Sequence, residues 1–131
     1  MEGRNIPALW TVPVSLDRRT ALGEETDMEI PRIEIHEAKE RLDQEQAVFV
    51  DIRDPASYRA AHIPGALHLH DGNVQDFVQN TDKEKPVVVY CYHGNSSLGA
   101  AAYFLENGFK NVASMSGGFE AWRQVYDHEA E

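Results

Sequence analysis

The residues most able to do chemistry in this sequence are its single cysteine, Cys91, and the loop that follows it. The apolar run VVVY (87–90) precedes Cys91, and the small or turn-forming residues of HGNSS follow Tyr92. Such residues let successive backbone N–H groups turn inward into a concave nest that binds anions. We expect a helix to start at Ser96 or Ser97, with either serine as its cap and its positive end toward the sulfur. The pattern predicts a stabilised thiolate at the mouth of a strand–loop–helix turn.

Magnitudes support a reactive cysteine. An unperturbed thiol has a pKa near ~8.5 and is mostly protonated at neutral pH. A hydrogen bond to a charged group contributes roughly 1.5–3 kcal/mol, and one pKa unit corresponds to about 1.4 kcal/mol. One or two such bonds would therefore make the thiolate a major species. The alternative is a buried structural cysteine, since cysteine is among the most buried residue types. The polar loop directly after Cys91 favours the reactive thiol.

Alternating strands and helices must position this loop. We predict strands at residues 32–35, 47–52, 66–70, 87–90 and 111–115. We predict helices at residues 36–44, 54–62, 73–80, 96–108 and 118–126, the second of them capped by Asp54 with Pro55 in its first turn. This order predicts an α/β fold with a mostly parallel central sheet of about five strands and helices on both faces. In such sheets binding sites form at the carboxyl ends of strands, and the apolar strand before Cys91 is expected at the centre.

Length and composition limit the organisation of the chain. Its 131 residues suit one domain with one core. Residues 1–29 contain two prolines and an acidic stretch without sustained periodicity, so we interpret them as an N-terminal extension that is flexible or loosely packed. Residues 30–131 form the predicted folded domain. The sequence leaves the oligomeric state open.

The charge excludes several classes of partner. A net charge of −10 disfavours nucleic acids and anionic membranes, because both need a basic surface. No apolar run approaches the roughly 20 residues that span a bilayer, and the first residues lack the apolar core of a signal peptide. A single cysteine also allows no intrachain disulfide. We therefore expect a cytoplasmic, reducing location.

Three segments together carry a family resemblance. They are CYHGNSS (91–97), VDIRDPASYRAAHIPGALHL (50–69) and SGGFEAW (116–122). In their order along the chain they resemble the rhodanese superfamily, most closely its single-domain bacterial thiosulfate sulfurtransferases of the GlpE type. The resemblance covers about residues 32–126 and implies a rhodanese-like domain for residues 30–131. Gly117 and Gly118, in the third segment, predict a tight turn into a helix.

The resemblance implies a two-step sulfur transfer. The Cys91 thiolate would attack the outer sulfur of thiosulfate, releasing sulfite and leaving a persulfide. An acceptor would then remove that sulfur: cyanide in an assay, or a dithiol such as thioredoxin in the cell. No metal or organic cofactor is implied. The residues of the predicted substrate-binding loop are Tyr92, His93, Gly94, Asn95, Ser96 and Ser97.

The loop departs from the family pattern in one respect. Many relatives carry Arg or Lys in or beside this loop, whereas here no basic residue lies between Cys91 and Lys110. Anion binding would then rest on amides, hydroxyls and a protonated His93. An alternative interpretation of His93 is a loop residue that simply faces solvent.

Other polar residues receive structural interpretations. The Asp51-x-Arg53 pair belongs to the resembling segment and is expected to hold the loop after its strand by a salt bridge or caps. His62 is likewise expected to be a hydrogen-bonded structural histidine. His68 and His70 lie two apart on one strand, but a pair without further ligands does not indicate a metal site.

Two other functions remain as alternatives. A cysteine phosphatase or arsenate reductase usually needs Cys-x5-Arg to bind an oxyanion bidentately, and the sixth residue after Cys91 is Ser97. A non-catalytic rhodanese-like binding module is the second alternative, although the retained cysteine argues against it. Sulfur uptake by Cys91 would separate these possibilities.

Overall fold

The computed structural model describes residues 29–131, so the predicted extension 1–29 lies, apart from Glu29, outside the described residues. Five strands and five helices alternate in this part of the chain. The elements are β1 (Arg32–Ile33), α1 (Ile35–Asp43), β2 (Val48–Asp51), α2 (Pro55–Ala60), β3 (Leu67–His68), α3 (Val74–Asn80), β4 (Val87–Tyr90), α4 (Ser96–Glu106), β5 (Val112–Met115) and α5 (Gly118–Trp122). Each corresponds to a predicted element.

The strands form one sheet in the order β1-β5-β4-β2-β3, and every pairing is parallel. The predicted α/β class is confirmed, and β4 is the middle strand, as expected. From β2 the chain continues to β3 on one side, whereas from β4 it continues to β5 on the other side. The connections therefore diverge between the carboxyl ends of β2 and β4. Parallel sheets bind ligands at such a switch point.

The core has two layers, one on each face of the sheet. In β4, Val87 and Val89 pack on one face, while Val88 and Tyr90 pack on the other. Helices α3 and α4 cover the first face, and α1 and α5 cover the second. Burial on both faces explains why β4 is apolar at every position rather than at alternate ones. The strand that leads into Cys91 is thus packed on both faces.

Several element ends differ from the predicted ones. The last helix, α5, stops at Trp122 and not at residue 126, because the buried Trp122 donates its indole N–H to the Asp127 carbonyl and the chain folds back in turns. Helix α4 ends at Glu106, and Gly108 adopts a left-handed φ of 99° that cannot continue a helix. The predicted cap of α2 is confirmed, since the Ser57 amide donates to Asp54 at 3.1 Å.

Candidate active site

Cys91 directly follows β4, at the carboxyl end of the central strand. Its Sγ accepts hydrogen bonds from the backbone amides of Gly94, at 3.2 Å, and Ser97, at 3.3 Å. The hydroxyl oxygen of Ser97 lies 3.5 Å from the same sulfur. Donors aimed at an ionisable atom favour its charged form. The contacts therefore favour a thiolate, in line with the inward-turning amides expected from the loop composition.

The sulfur is nevertheless enclosed. Cys91 is 0% exposed, although it lies where the strand passes into the loop. The Gly94 amide lies against the sulfur, and Val89 and Ala100 belong to the apolar cluster that includes Cys91. Burial alone would also fit a structural cysteine. The two amide donors are the feature that simple apolar packing does not require.

The start of helix α4 explains one of these donors. The expected serine caps do not form: Asn95 occupies the N-cap position and makes no side-chain cap hydrogen bond. Ser96 and Ser97 are the first two helical residues, and the Ser97 amide donates to the Cys91 sulfur. A cap side chain normally accepts this second or third amide of a helix. The sulfur thus takes the place of the capping acceptor.

Helix α5 holds the outer side of the loop. The Phe119 amide donates to the Cys91 carbonyl at 2.8 Å, and the Glu120 amide donates to the Tyr92 carbonyl at 3.0 Å. At Gly118, with a φ of 61°, an added Cβ would lie 2.4 Å from the Tyr92 oxygen. These two bonds hold the loop backbone just before Gly94, whose amide donates to the sulfur. The glycine pair signalled a turn in the sequence, but nothing there indicated this contact.

Tyr92 is tied to helix α2. Its hydroxyl donates to the carboxylate of Asp54 and lies 2.7 Å from the Ser57 hydroxyl, which itself donates to Asp54 at 2.8 Å. Partial burial would raise the pKa of Asp54, but the hydrogen bonds from Tyr92 and Ser57 lower it to about 2. Burial and the bond to Asp54 raise the pKa of Tyr92, so the phenol stays protonated. The cap of α2 and the loop after β4 thereby form one unit.

The remaining loop residues are more open. His93 and Asn95 are exposed, and the His93 ring lies 6.5 Å from the Tyr92 ring. Gly94 adopts a φ of 98°, and an added Cβ would lie 3.0 Å from the Gly117 nitrogen. This position therefore needs glycine both for its conformation and for the close approach of the α5 turn. Of the predicted loop residues, Gly94 and Ser97 contact the Cys91 sulfur, whereas the Tyr92 side chain contacts α2.

The Asp51–Arg53 pair lies beneath the loop. The guanidinium donates to Asp51 at 2.7 Å and to the Ala61 carbonyl at 2.5 Å, and its carbon lies 4.3 Å from the centre of the Phe119 ring. The Asp51 side chain is 0% exposed and that of Arg53 is 4% exposed. Burial lowers the pKa of Arg53, but the hydrogen bond and charge of Asp51 raise it above the ordinary value. The Arg53 guanidinium is thus paired with Asp51, and it also contacts Phe119 of α5, the helix that holds the loop.

His62 is buried in a structural setting. Its Nδ1 lies 2.6 Å from the Tyr58 carbonyl, and its Nε2 lies 3.4 Å from Glu129. The ring stacks on Tyr58 with centres 3.8 Å apart. His68 contacts the Arg53 carbonyl through Nε2. In residues 29–131 no group of three or more metal-ligating side chains is arranged to hold a metal ion.

Ser114, which lies close to the sulfur site, was not identified from the sequence. Ser114, in the middle of β5, places its hydroxyl oxygen 2.7 Å from that of Ser97. Both residues are buried, with exposures of 1% and 0%. A serine in an otherwise apolar strand was the available signal, but its neighbour could not be identified before the pairing of β5 with β4 was known.

These features define a class: an α/β protein with a cysteine in an amide-lined loop at the switch point of a parallel sheet. The profile of the Rhodanese-like domain family matches residues 34–125, and the chain belongs to this family, as its three sequence segments predicted. No helix in the described part of the chain is long and apolar enough to cross a membrane.

Named relatives place the chain within the family. It is 56% identical over 88 residues to "Thiosulfate sulfurtransferase GlpE" of Pseudomonas entomophila (strain L48), covering 67% of this chain and 81% of that protein. It is 45% identical over 104 residues to the protein of the same name from Pseudoalteromonas translucida (strain TAC 125), covering 79% of this chain and 99% of that protein. The crystal structure of BH2092 from Bacillus halodurans is similar with a TM-score of 0.69 and 29% identity, over 76% of this chain and 77% of that one.

Proposed function

We propose that this chain is a sulfurtransferase that moves sulfane sulfur from thiosulfate to a thiol acceptor through a persulfide on Cys91. The observation that carries this proposal is the pair of backbone amides that donate to the cysteine sulfur. Fixed dipoles stabilise an anion without reorganising during a reaction. The two relatives named as thiosulfate sulfurtransferases support the choice of donor.

In the first step the Cys91 thiolate attacks the outer sulfur of thiosulfate. A new S–S bond forms to Cys91, the S–S bond of thiosulfate breaks, and sulfite leaves with the bonding electron pair. The product is a persulfide anion on the enzyme. The amides of Gly94 and Ser97 face the sulfur before attack and are the groups that we expect to stabilise the added charge.

In the second step an acceptor nucleophile attacks the terminal sulfur of the persulfide. Cyanide would leave as thiocyanate and regenerate the Cys91 thiolate. With a dithiol such as thioredoxin, one thiolate would take the sulfur, and the second thiol would displace it as hydrosulfide while a disulfide forms. A reducing cytoplasm would supply such dithiols and keep Cys91 as a thiol between turnovers.

The charges around the site argue for this chemistry over phosphate hydrolysis. No basic residue lies between Cys91 and Lys110, and Ser97 stands where a cysteine phosphatase would carry its arginine. The buried guanidinium of Arg53 is engaged by Asp51 and by the Ala61 carbonyl. Anion binding would therefore depend on amides and hydroxyls, with the exposed His93 as the ionisable group of the loop nearest to an arriving donor.

The complete burial of Cys91 favours a second candidate, a rhodanese-like module that binds a partner without catalysis. For catalysis the loop must open so that the donor can reach the sulfur. The exposed residues His93 and Asn95 form its outer wall and are the parts that we expect to move. The two candidates differ in whether the sulfur ever reacts.

Intact-protein mass spectrometry after incubation with thiosulfate tests the proposal. We expect a gain of about one sulfur (~32 Da) that cyanide removes, and no gain in Cys91→Ser. The exposed Ser116→Ala serves as a variant that should gain sulfur as the wild type does. Absence of the gain with thiosulfate, and with an organic persulfide as a second donor, would contradict the proposed transfer and favour the binding module.

A further inference from the structure

The Cys91 sulfur, the Ser97 hydroxyl and the Ser114 hydroxyl form a row of polar contacts that leads into the core. The Ser97 hydroxyl oxygen lies 3.5 Å from the Cys91 sulfur and 2.7 Å from the Ser114 hydroxyl oxygen. Ser114 belongs to β5, far from the loop in sequence, and is 1% exposed. The row Cys91–Ser97–Ser114 therefore runs from the loop into the sheet without reaching the surface.

A Cys91 thiol would donate its own proton to the Ser97 hydroxyl oxygen. A Cys91 thiolate has no proton to donate, and the number of protons left in the row then fixes its direction. Each serine hydroxyl carries one proton, and a buried donor without an acceptor is costly. Among the described residues, the Ser114 hydroxyl has Ser97 as its hydrogen-bond partner. If Ser97 donated to Ser114, the Ser114 proton would have no acceptor in that part of the chain. If Ser114 donates to Ser97, the Ser97 proton is directed to the sulfur and both protons have acceptors.

We propose that Ser114 is a positioning residue, which holds the Ser97 hydroxyl as a donor toward the Cys91 sulfur. A thiolate accepts that proton well, whereas a thiol must orient its own proton elsewhere. Ser114 thereby favours the anionic form of the sulfur without touching it. The proposal deepens the proposed sulfurtransferase function and rests on it for its role in turnover, but the effect on ionisation is separate from any sulfur donor.

Other ionisable groups surround the loop and do not act through Ser114. Those on the loop or beside it include Tyr90, Tyr92, His93, Asp51, Arg53, Asp54 and Glu120, and Arg32 in β1 is the strand partner of Ser114. Within residues 29–131 none of them hydrogen-bonds to the Ser97 or Ser114 hydroxyl. A change at Ser114 therefore reaches the sulfur through Ser97.

The test is a pH titration of the Cys91 thiolate by its ultraviolet absorbance, with the tyrosine background measured in Cys91→Ser. Ser114→Ala is expected to raise the midpoint by about half a pH unit to one pH unit, and Ser97→Ala by about one pH unit or more. In the double variant the Ser114 change should add nothing to the Ser97 change, because the intermediate hydroxyl is already absent. An unmoved midpoint in Ser114→Ala, or full additivity, would overturn the proposal.

A matched pair of variants separates the hydroxyl from packing. Thr and Val have nearly the same size and shape, so Ser114→Thr and Ser114→Val should strain the core to a similar degree. They differ in that Thr keeps the hydroxyl whereas Val has a methyl group in its place. The midpoint should stay near that of the wild type in Ser114→Thr and rise in Ser114→Val; equal midpoints would contradict the proposal. If the coupling appears but thiosulfate and an organic persulfide transfer no sulfur, the proposed function fails and the positioning role stands.

Discussion

At the scale of single residues, the sulfur of Cys91 is held by backbone amides, which substitution of a side chain does not remove. The side chains instead keep that backbone in place. Loop composition predicted that amides would converge on the sulfur, because Gly, Asn and Ser favour such turns. It could not predict the bond between Tyr92 and Asp54, 38 residues apart, since that contact depends on β2 and β4 being neighbours.

The Asp54 contacts give a pH-dependent prediction. The pKa of Asp54 falls from 3.8 to about 2 on folding, so its stabilisation is fully present above pH 3.8 and is lost as the pH falls through about 2. Because the carboxylate is partly exposed, solvent screening limits the effect to about 1 kcal/mol. Asp54→Asn should therefore unfold at lower urea than the wild type at neutral pH, and the difference should shrink toward pH 2.

Urea unfolding curves at several pH values check this prediction, with the exposed Asp71→Asn as the control. The control should match the wild type throughout. A difference for Asp54→Asn that is the same at pH 6 and pH 2 would show that its carboxylate charge is not the cause.

At the scale of elements, the sequence predicted which segments are strands better than it predicted which strands lie side by side in the sheet. The apolar runs of β2, β4 and β5 indicated buried parallel strands, and β4 is central as predicted. The use of α5 as an outer support of the loop was not predictable. Its tight approach at Gly118 is a tertiary contact between two segments, and a glycine pair in a sequence signals only a turn.

Gly118→Ala should damage this support. The new methyl group would lie 2.4 Å from the Tyr92 oxygen and 2.6 Å from the Cys91 oxygen, so the loop backbone must shift in addition to the strain of a φ of 61°. We expect a loss of about 3 kcal/mol or more in the free energy of unfolding and little remaining sulfur uptake.

Gly108→Ala is the matched control, because its φ is 99° and an added Cβ meets nothing within 4 Å. It should cost about 1 kcal/mol from backbone strain alone and leave sulfur uptake intact. Chemical denaturation together with the mass assay measures both effects. Equal losses in the two variants would mean that the contact at Gly118 is unimportant.

At the scale of the whole molecule, an anion-binding site lies in a protein with a large negative net charge. The net charge of −10 repels an anionic donor such as thiosulfate at long range, while the dipoles that receive it act at short range. The long-range repulsion follows from the charge count alone. The turn-forming residues after Cys91 predicted the backbone amides that bind an anion at short range.

Screening should therefore speed the reaction with thiosulfate. Between about 0.01 M and 0.15 M ionic strength the Debye length falls from ~30 Å to ~8 Å, and we expect kcat/KM for thiosulfate to rise about two- to fivefold. The alkylation rate of Cys91 by the uncharged reagent iodoacetamide should stay constant over the same range. A fall of kcat/KM with added salt would instead reveal a local positive field that outweighs the acidic surface.

The capping of helix α4 by the Cys91 sulfur has a consequence for the molecule after damage. The Cys91 sulfur both ionises and accepts the Ser97 amide at the start of α4, so its ionisation and the stability of the fold are thermodynamically linked. A modification that makes the sulfur a weaker acceptor also weakens the first turn of the helix. Irreversible alkylation, which turns the sulfur into a neutral thioether and a weak acceptor, would then do more than stop turnover. An alkylated copy would also lose part of its resistance to heat, so inactivation of the site and destabilisation of the fold would occur together.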